Sequence, residues 1–429
     1  MPAFTIPDSV RPLFHRLPDA KRLLLALFVA RLAFLPFFCH VTDLAGDESY
    51  YWAWGQRPDW CYFSKPPLIG WLMGLVGLAT GNAEWGIRLA ALLFGTASLW
   101  FLQALARAMF DASAARIALL LAALCPANVA LNLFFTIDAP LVLCWSAALL
   151  ALWRVIEQPA MTWRWTLLAL AMCVGVLAKQ MMLVFPLLMV LLFALTSELR
   201  PLLRRTGLWL SIAAALLCLA PVVWWNQQHQ WITLQHTSHH FDARQMSGLM
   251  EWLGRFLSFP GMQSALFTPL TWLLMIAAAF GGLFNWASLD KRARLLVLFS
   301  APGLVIFFLL ALRQSINPNW PAAFYLSAVV LLAGQLTSAL PISLWMARMA
   351  KPALALAATM TVLTYSLPLL IKGSGLEWHA RLDPLDRVRG WSEIGAQAGK
   401  LLEQTPRPRE TFVLAVGHRE HASQLAFYM

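Results

Sequence analysis

Apolar runs follow one another almost without pause along this chain, over about 23–39, 89–106, 117–135, 139–153, 165–178, 180–196, 207–225, 264–287, 295–312, 320–347 and 352–371. A lipid-exposed helical span needs roughly 20 such residues, so these runs read as about 11 transmembrane helices. The runs 139–153 and 165–178 are short, and are expected either inside the bundle or with polar ends within the membrane. Composition agrees: 60% of residues are hydrophobic and 12% charged, whereas a soluble domain carries about a quarter charged residues. The expected fold class is an all-α polytopic membrane protein.

Assigning the loops alternately puts Arg11, Arg16, Lys21, Arg22, Arg107, Arg116, Arg154, Arg164, Arg200, Arg204, Arg205, Lys291, Arg292, Arg294, Arg348 and Lys351 on one side. The other side's short loops hold Arg57, Lys65, Arg88, Lys179, Arg244, Arg255 and Arg313. The positive-inside rule makes the first side, and with it the N-terminus, cytoplasmic. Most of the formal charge of +11 is then topology signal and not a nucleic-acid footprint. The first run follows a 22-residue polar lead without a small-residue cleavage site, and reads as a retained span. Cys125, Cys144, Cys173 and Cys218 lie in apolar runs, whereas Cys39 and Cys61 both face outward and could pair, though two isolated thiols are a weak disulfide signal.

Three outward segments are long enough to carry function: 40–88, 226–262 and the tail from 372. The tail turns charged; "GWSEIGAQAGKLLEQ" reads as an amphipathic helix and "TFVLAV" as a buried strand. This divides the chain into a membrane domain, 1–371, and the start of an outward α/β segment, 372–429. No two-fold internal repeat of the transporter kind is visible.

The first outward segment opens with "DESYYWAWGQRPDWCYFSKPP". Carboxylates near a bilayer cost several kcal/mol unless solvated or paired, so Asp47 and Glu48 are candidate reacting acids. Asp47 could equally cap a short interfacial helix whose aromatics sit in the headgroup belt, and one placement allows both roles. Lys65, on a stiff Pro-Pro turn that leads into a second interfacial helix, suits a lipid phosphate or snorkels to headgroups. Asp138 in "FFTIDAPL" is either an ordinary helix cap before Pro140 or a third acid in the same compartment. Lys179, the sole charge between 165 and 196, and Arg313, ahead of "NPNWP", have the same two readings as Lys65. In "WWNQQHQWITLQHTSHHFDARQ", His236 and His240 have the spacing to hold a metal on a helix, but no well-spaced acid follows, and a polar substrate-facing wall competes. Arg31 is a charge inside the first span without an evident partner.

In their order, Asp47-Glu48, "YFSKPPLIGWL", "FFTIDAPL", "GVLAKQ", "WNQQHQWITL" followed by Arg244, and "NPNWPAAFY" resemble the lipid-phosphosugar-dependent glycosyltransferases of the GT-C fold. The likeness is to the family related to protein O-mannosyltransferases and lipid A aminoarabinose transferases, and it covers about the first 330 residues. It implies a multispan bundle in the bacterial inner membrane, interfacial helices in the first periplasmic loop, and a periplasmic active site fed by a polyprenyl-phosphate sugar. It further implies Asp47 as catalytic base, with Lys65 and Arg244 on the donor phosphate. Where some relatives carry an acid before the motif's lysine, this chain has Ser64, which removes a metal ligand or an acceptor contact; no cofactor is certain, and a divalent metal stays open.

Elementary chemistry asks for the same parts. A base must deprotonate the incoming hydroxyl and cations must hold the departing phosphate. Asp47, Glu48 or Asp138 could supply the first; Lys65, Arg244, Lys179 and Arg313 the second. Tyr50, Tyr62, His240, Asn317 and Trp320 are the expected substrate contacts, in a single displacement with inversion. The partners are then the lipid-linked donor, a lipid or glycan acceptor and membrane lipid, with no nucleic acid. A lipid-linked sugar transporter or flippase is the alternative; it should carry repeats and mid-span charges, whereas here the charges gather at the outer helix ends. A ligase using diphosphate-linked oligosaccharides should need a wider, more basic outer loop, and a non-catalytic subunit would not need acids and cations on one face.

Overall fold

In the computed structural model of the chain, the described residues are 18–239, 248–374 and 385–429. All regular structure among them is helical. Six helical stretches are long and apolar enough to cross a membrane: Ala20–Val41, Glu84–Met109, Asp138–Glu157, Thr206–Gln228, Lys291–Ala311 and Leu344–Ile371. Two bent pairs raise the number to eight, Ala112–Ala123 with Pro126–Leu133 at 75° and Leu249–Phe267 with Pro269–Phe284 at 108°.

Against the expectation of about 11 spans, six to eight stretches among the described residues thus have a span's length and composition, and the apolar helices Leu68–Thr80, Thr162–Ala178, Gln180–Leu195 and Ala322–Leu336 are shorter. The run 117–135 bends where Pro126 starts a new helix, since proline cannot continue the hydrogen-bond ladder. The runs 165–178 and 180–196 are separate helices as expected, parted at Lys179, whose extended backbone (φ −159°, ψ 139°) ends the first. The run 320–347 is not continuous either, its helix stopping at Leu336 and the next starting at Leu344.

We name the helices used below α1 (Ala20–Val41), α2 (Gly46–Gly55), α3 (Leu68–Thr80), α4 (Glu84–Met109), α5 (Ala112–Ala123), α6 (Pro126–Leu133), α7 (Asp138–Glu157), α8 (Thr162–Ala178) and α9 (Arg419–Tyr428). The short run expected in the interior becomes α7, whose apolar window is 78% buried, against 22% for α1. At its centre Trp145 is fully buried and meets Phe185, Phe324 and Phe299 edge-on, with centroids 5.2, 5.5 and 6.3 Å away. Such a packed aromatic hub fixes where α7 begins, and so where Asp138 sits. The other short run, α8, buries one face and exposes Leu167 and Leu170 on the other, as a lipid-facing helix does.

Both helices expected in the first loop are present as α2 and α3. They cross at Gly55 and Gly74, where a Cβ on Gly55 would fall 2.5 Å from the Gly74 backbone nitrogen. Arg31 is not partnerless: its guanidinium donates to Asn128 Oδ1 (2.8 Å) and the Ala123 carbonyl (3.4 Å), bridging the break between α5 and α6. Cys39 and Cys61 are free thiols; Cys61 contacts Thr233 Oγ1 (3.5 Å) and Asn226 Nδ2 (3.4 Å), tying the first loop to the segment after 226.

The expected α/β tail is corrected. Residues 411–416 form no strand, and Phe412 and Val416 are 81% and 84% exposed. A strand needs neighbouring backbone to pair with, and none among the described residues offers an edge. The expected amphipathic helix is present, at Trp391–Glu403. The last helix, α9, lies on α2: Gln424 Nε2 donates to the Leu44 carbonyl (2.7 Å), the Leu44 amide donates to Tyr428 Oη (2.7 Å), and the Ser49 and Ser423 hydroxyls are 3.1 Å apart.

Candidate active site

The adjacent acids of the first loop part company at the start of α2. Glu48 is fully buried, and three donors occupy its carboxylate: the Ala45 amide (2.9 Å) and Arg88 Nη1 (2.6 Å) on Oε2, and the Phe135 amide (2.8 Å) on Oε1. Arg88, also fully buried, donates further to the carbonyls of Leu133 (2.9 Å) and Asp43 (2.8 Å), and lies 5.0 and 4.9 Å from the rings of Phe38 and Phe134. Glu48, read from the sequence with Asp47 as a candidate reacting acid, is thus built into a closed knot. It also makes the hydrogen bond from the third helical residue back to the cap backbone that starts α2.

Asp47 precedes it by one residue, about 100° around the helix, and lines a cavity of about 510 Å³. It does not cap α2, whose cap residue is Ala45. Burial raises its pKa, Glu420 raises it further, and the charges of Arg419 and Lys65 oppose the rise. Asp138, which also lines the cavity, is the first residue of α7 and makes no capping bond. Its Oδ1 accepts from Lys179 Nζ (2.8 Å) and its Oδ2 from Asn319 Nδ2 (2.6 Å). Lys179 is buried against this carboxylate, not snorkelling to headgroups.

Lys65 is fixed from behind, its carbonyl accepting from the Tyr62 amide (3.1 Å) and the Cys61 thiol (3.4 Å). Burial, then the charge of Lys179, lowers its pKa from 10.5 to about 8, with Asp138 and Asp47 pulling the other way. No ion pair within bonding distance neutralises Lys65 among the described residues. Two acids and two lysines from four distant stretches therefore come together: Asp47 and Asp138 line the cavity, Lys179 bonds Asp138, and Lys65 acts electrostatically on both acids. Much of the remaining wall is apolar, lined by Leu99, Leu121, Leu131, Phe134, Phe267 and Leu326 among others, with Ser98, Asn128 and Thr136 as polar members. Such a site can take a proton, hold an anion and lodge a hydrocarbon chain.

Other expected contacts lie elsewhere. Tyr62 is buried, stacked on Trp54 at 4.5 Å, and donates to the Trp54 carbonyl (3.2 Å), so its ring is packing inside the loop. Asn317 is exposed and outside the cavity lining; the turn delivers Asn319 instead, two residues on. Trp320 is half-buried against the membrane core, and Arg313 is exposed outside the cavity lining. Tyr50 does border the site, with the Arg419 guanidinium 4.6 Å from its ring centroid. Arg244 and His240 lie outside the described residues. Among those described, no three His, Cys, Asp or Glu side chains group closely enough to hold a metal, and His236 packs 4.8 Å from the Phe63 ring.

Four residues that sequence reading missed matter here: Arg88, Asn319, Arg419 and Glu420. Arg88 did leave a signal, as a lone arginine at the entry of an apolar run in "EWGIRLAALLF". Arg419 and Glu420 left none, being about 370 positions from Asp47 in a stretch assigned to another unit.

Known proteins with related sequence or structure fit this geometry. Residues 64–225 match the family described as dolichyl-phosphate-mannose-protein mannosyltransferase. The lipid A galacturonosyltransferase RgtD of Rhizobium johnstonii is 28% identical over 299 residues, which are 68% of this chain and 60% of that protein. The chain thus spans less than two thirds of this curated relative. The ArnT structure of Cupriavidus metallidurans in the apo state superposes over 96% of this chain and 85% of its own, with a TM-score of 0.60 and 19% identity. The same protein bound to undecaprenyl phosphate superposes over 94% and 74%, with a TM-score of 0.56 and 20% identity. The GT-C likeness carried by the ordered motifs is borne out, and the fold is ArnT-like in a multi-pass membrane protein.

Proposed function

We propose that this chain is a membrane glycosyltransferase that moves a sugar from a polyprenyl-phosphate donor to an acceptor hydroxyl or phosphate at the periplasmic face of a bacterial inner membrane. One observation carries the reading: Asp47 and Asp138 line a largely apolar cavity, with Lys179 bonded to Asp138 and the charge of Lys65 acting on both acids. The prenyl chain occupies the apolar part, and its phosphate meets Lys65. Asp47 takes the acceptor's proton as the acceptor attacks the anomeric carbon; the bond from that carbon to the phosphate oxygen breaks, and the phosphate leaves with the electron pair. A single displacement of this kind inverts the anomeric centre.

The half-buried environment suits the two titrating groups to these tasks. A raised pKa makes Asp47 a better proton acceptor than an exposed aspartate, provided the pH lies above it. Asp138, already bound by Lys179 and Asn319, holds the floor of the site and restrains Lys179 near Lys65. Its acidic oxygens are both engaged, which favours Asp47 as the base. RgtD acts on lipid A by its name; a lipid A-type glycolipid is accordingly the first acceptor to try, ahead of polysaccharide or protein hydroxyls. The distribution of basic loop residues supports a periplasmic cavity, where a donor made in the cytoplasm must arrive on lipid.

The test incubates purified protein with labelled polyprenyl-phosphate sugars and membrane acceptors, beside Asp47→Asn. Transfer by the parent and a loss of 10²–10⁴-fold in the variant are expected. Equal rates in both would remove Asp47 as base, and no transfer with any donor would remove the donor class.

A further inference from the structure

The C-terminal helix brings charges to this site that the mechanism above does not use. Glu420, in the first turn of α9, lines the cavity beside Asp47, and Arg387 lines it from earlier in the tail. Arg419 lies over the Tyr50 ring at 4.6 Å, and its charge acts on Asp47, Tyr50 and Lys65. Its guanidinium makes no ion pair among the described residues. The helix is already latched to the first loop through Gln424, Tyr428 and Ser423, so Arg419 is not needed to hold it. The contact with Tyr50 orients the guanidinium and leaves its five N–H donors available. The approach is close: a Cβ on Gly46 would fall 2.5 Å from the Glu420 carboxyl. Lys179 is matched by Asp138 and Glu420 lies 3.4 Å from His418 Nδ1, while three further cations, Lys65, Arg387 and Arg419, stand around Asp47 and Glu420. That excess of positive charge suits a phosphate.

We propose that Arg419 is a phosphate-binding residue of the site, delivered by the C-terminal helix and acting beside Lys65 on the phosphate group of a lipid substrate. Arginine's planar fork fits phosphate oxygens in a way a single ammonium does not. The proposal rests on the glycosyltransferase reading and deepens it, by making the tail part of the site.

The full chain, in neutral-lipid nanodiscs, is titrated with polyprenyl phosphate lacking sugar; in a second arm the KM for a phosphate-bearing glycolipid acceptor is measured. Arg419→Gln is expected to weaken binding in one arm on the order of tenfold, and Arg419→Lys, which keeps the charge and loses the fork, to recover part of it, with melting temperatures matching the parent. Loss in the first arm assigns the phosphate to the donor, and loss in the second alone to the acceptor. Unchanged behaviour of Arg419→Gln in both arms overturns the proposal. So does an equal loss in Gln424→Ala, which loosens the helix without touching its charges, if Arg419→Lys fails to recover binding. A parent that binds neither probe overturns the donor reading along with this one.

Discussion

Asp47 and Glu48 are neighbours of like chemistry, yet their surroundings are opposite. Glu48 and Arg88 have no exposure, and each oxygen of the acid has a fixed donor. Around Asp47 the charges outnumber the bonds: Lys65 and Arg419 act on it at longer range, and the cavity lies in front of it. A buried carboxylate with both oxygens engaged is structural, because nothing further can bind it without breaking a hydrogen bond. An incompletely matched set beside a cavity keeps its charge for a substrate. Chain position alone would assign both acids the same task; saturation separates them.

The contrast breaks most sharply if the knot can be cut without harm. Arg88→Met leaves Glu48 buried and unpaired, and should cost about 3–5 kcal/mol, read as a large drop in melting temperature or loss of folded protein. The double variant with Glu48→Gln should be less destabilised than Arg88→Met alone. Asp47→Asn should do the reverse, leaving the stability within about 0.5 kcal/mol of the parent while transfer collapses. If Glu48→Gln lost transfer without loss of stability, the division between the two acids would be wrong.

The pH profile sharpens the open side. Lys65 binds phosphate as a cation and its pKa is lowered to about 8, so donor affinity should be full below that pH and fall as pH rises through it. Asp47 acts as a base only when ionised, and its raised pKa moves the acid limb above that of an exposed aspartate. Lys65→Arg, charged throughout the range, should abolish the alkaline limb, and an alkaline limb that persists would tie it to another group. The smallest effect is expected from Tyr62→Phe. Removing the hydroxyl that bonds the Trp54 carbonyl should cost about 1 kcal/mol and leave the KM for donor unchanged, whereas a raised KM would return Tyr62 to the substrate contacts.

Much of the site was legible because it is made of charges that the membrane makes conspicuous. Asp47, Lys65, Asp138 and Lys179 each stood out against apolar flanks, and each borders the cavity or a residue that does. The finer placements were not legible. Asn317 and Asn319 are both plausible in "NPNWP", and only the turn decides that Asn319 reaches Asp138. Asp138 and Asp47 both looked like helix caps, and neither caps.

By itself the sequence determined the helical membrane class, the two helices of the first loop and the set of charges worth following, because lipid penalises unpaired polarity locally, residue by residue. Only the tertiary structure decided which charges meet. Whether an acid is saturated or open depends on partners 40 to about 370 positions away, such as Arg88 for Glu48 and Glu420 for Asp47. It also decided that the apolar run 117–135 bends, since Pro126 starts a new helix without changing the run's composition. The paired backbone a strand needs is likewise a tertiary property, and "TFVLAV" lacks it here.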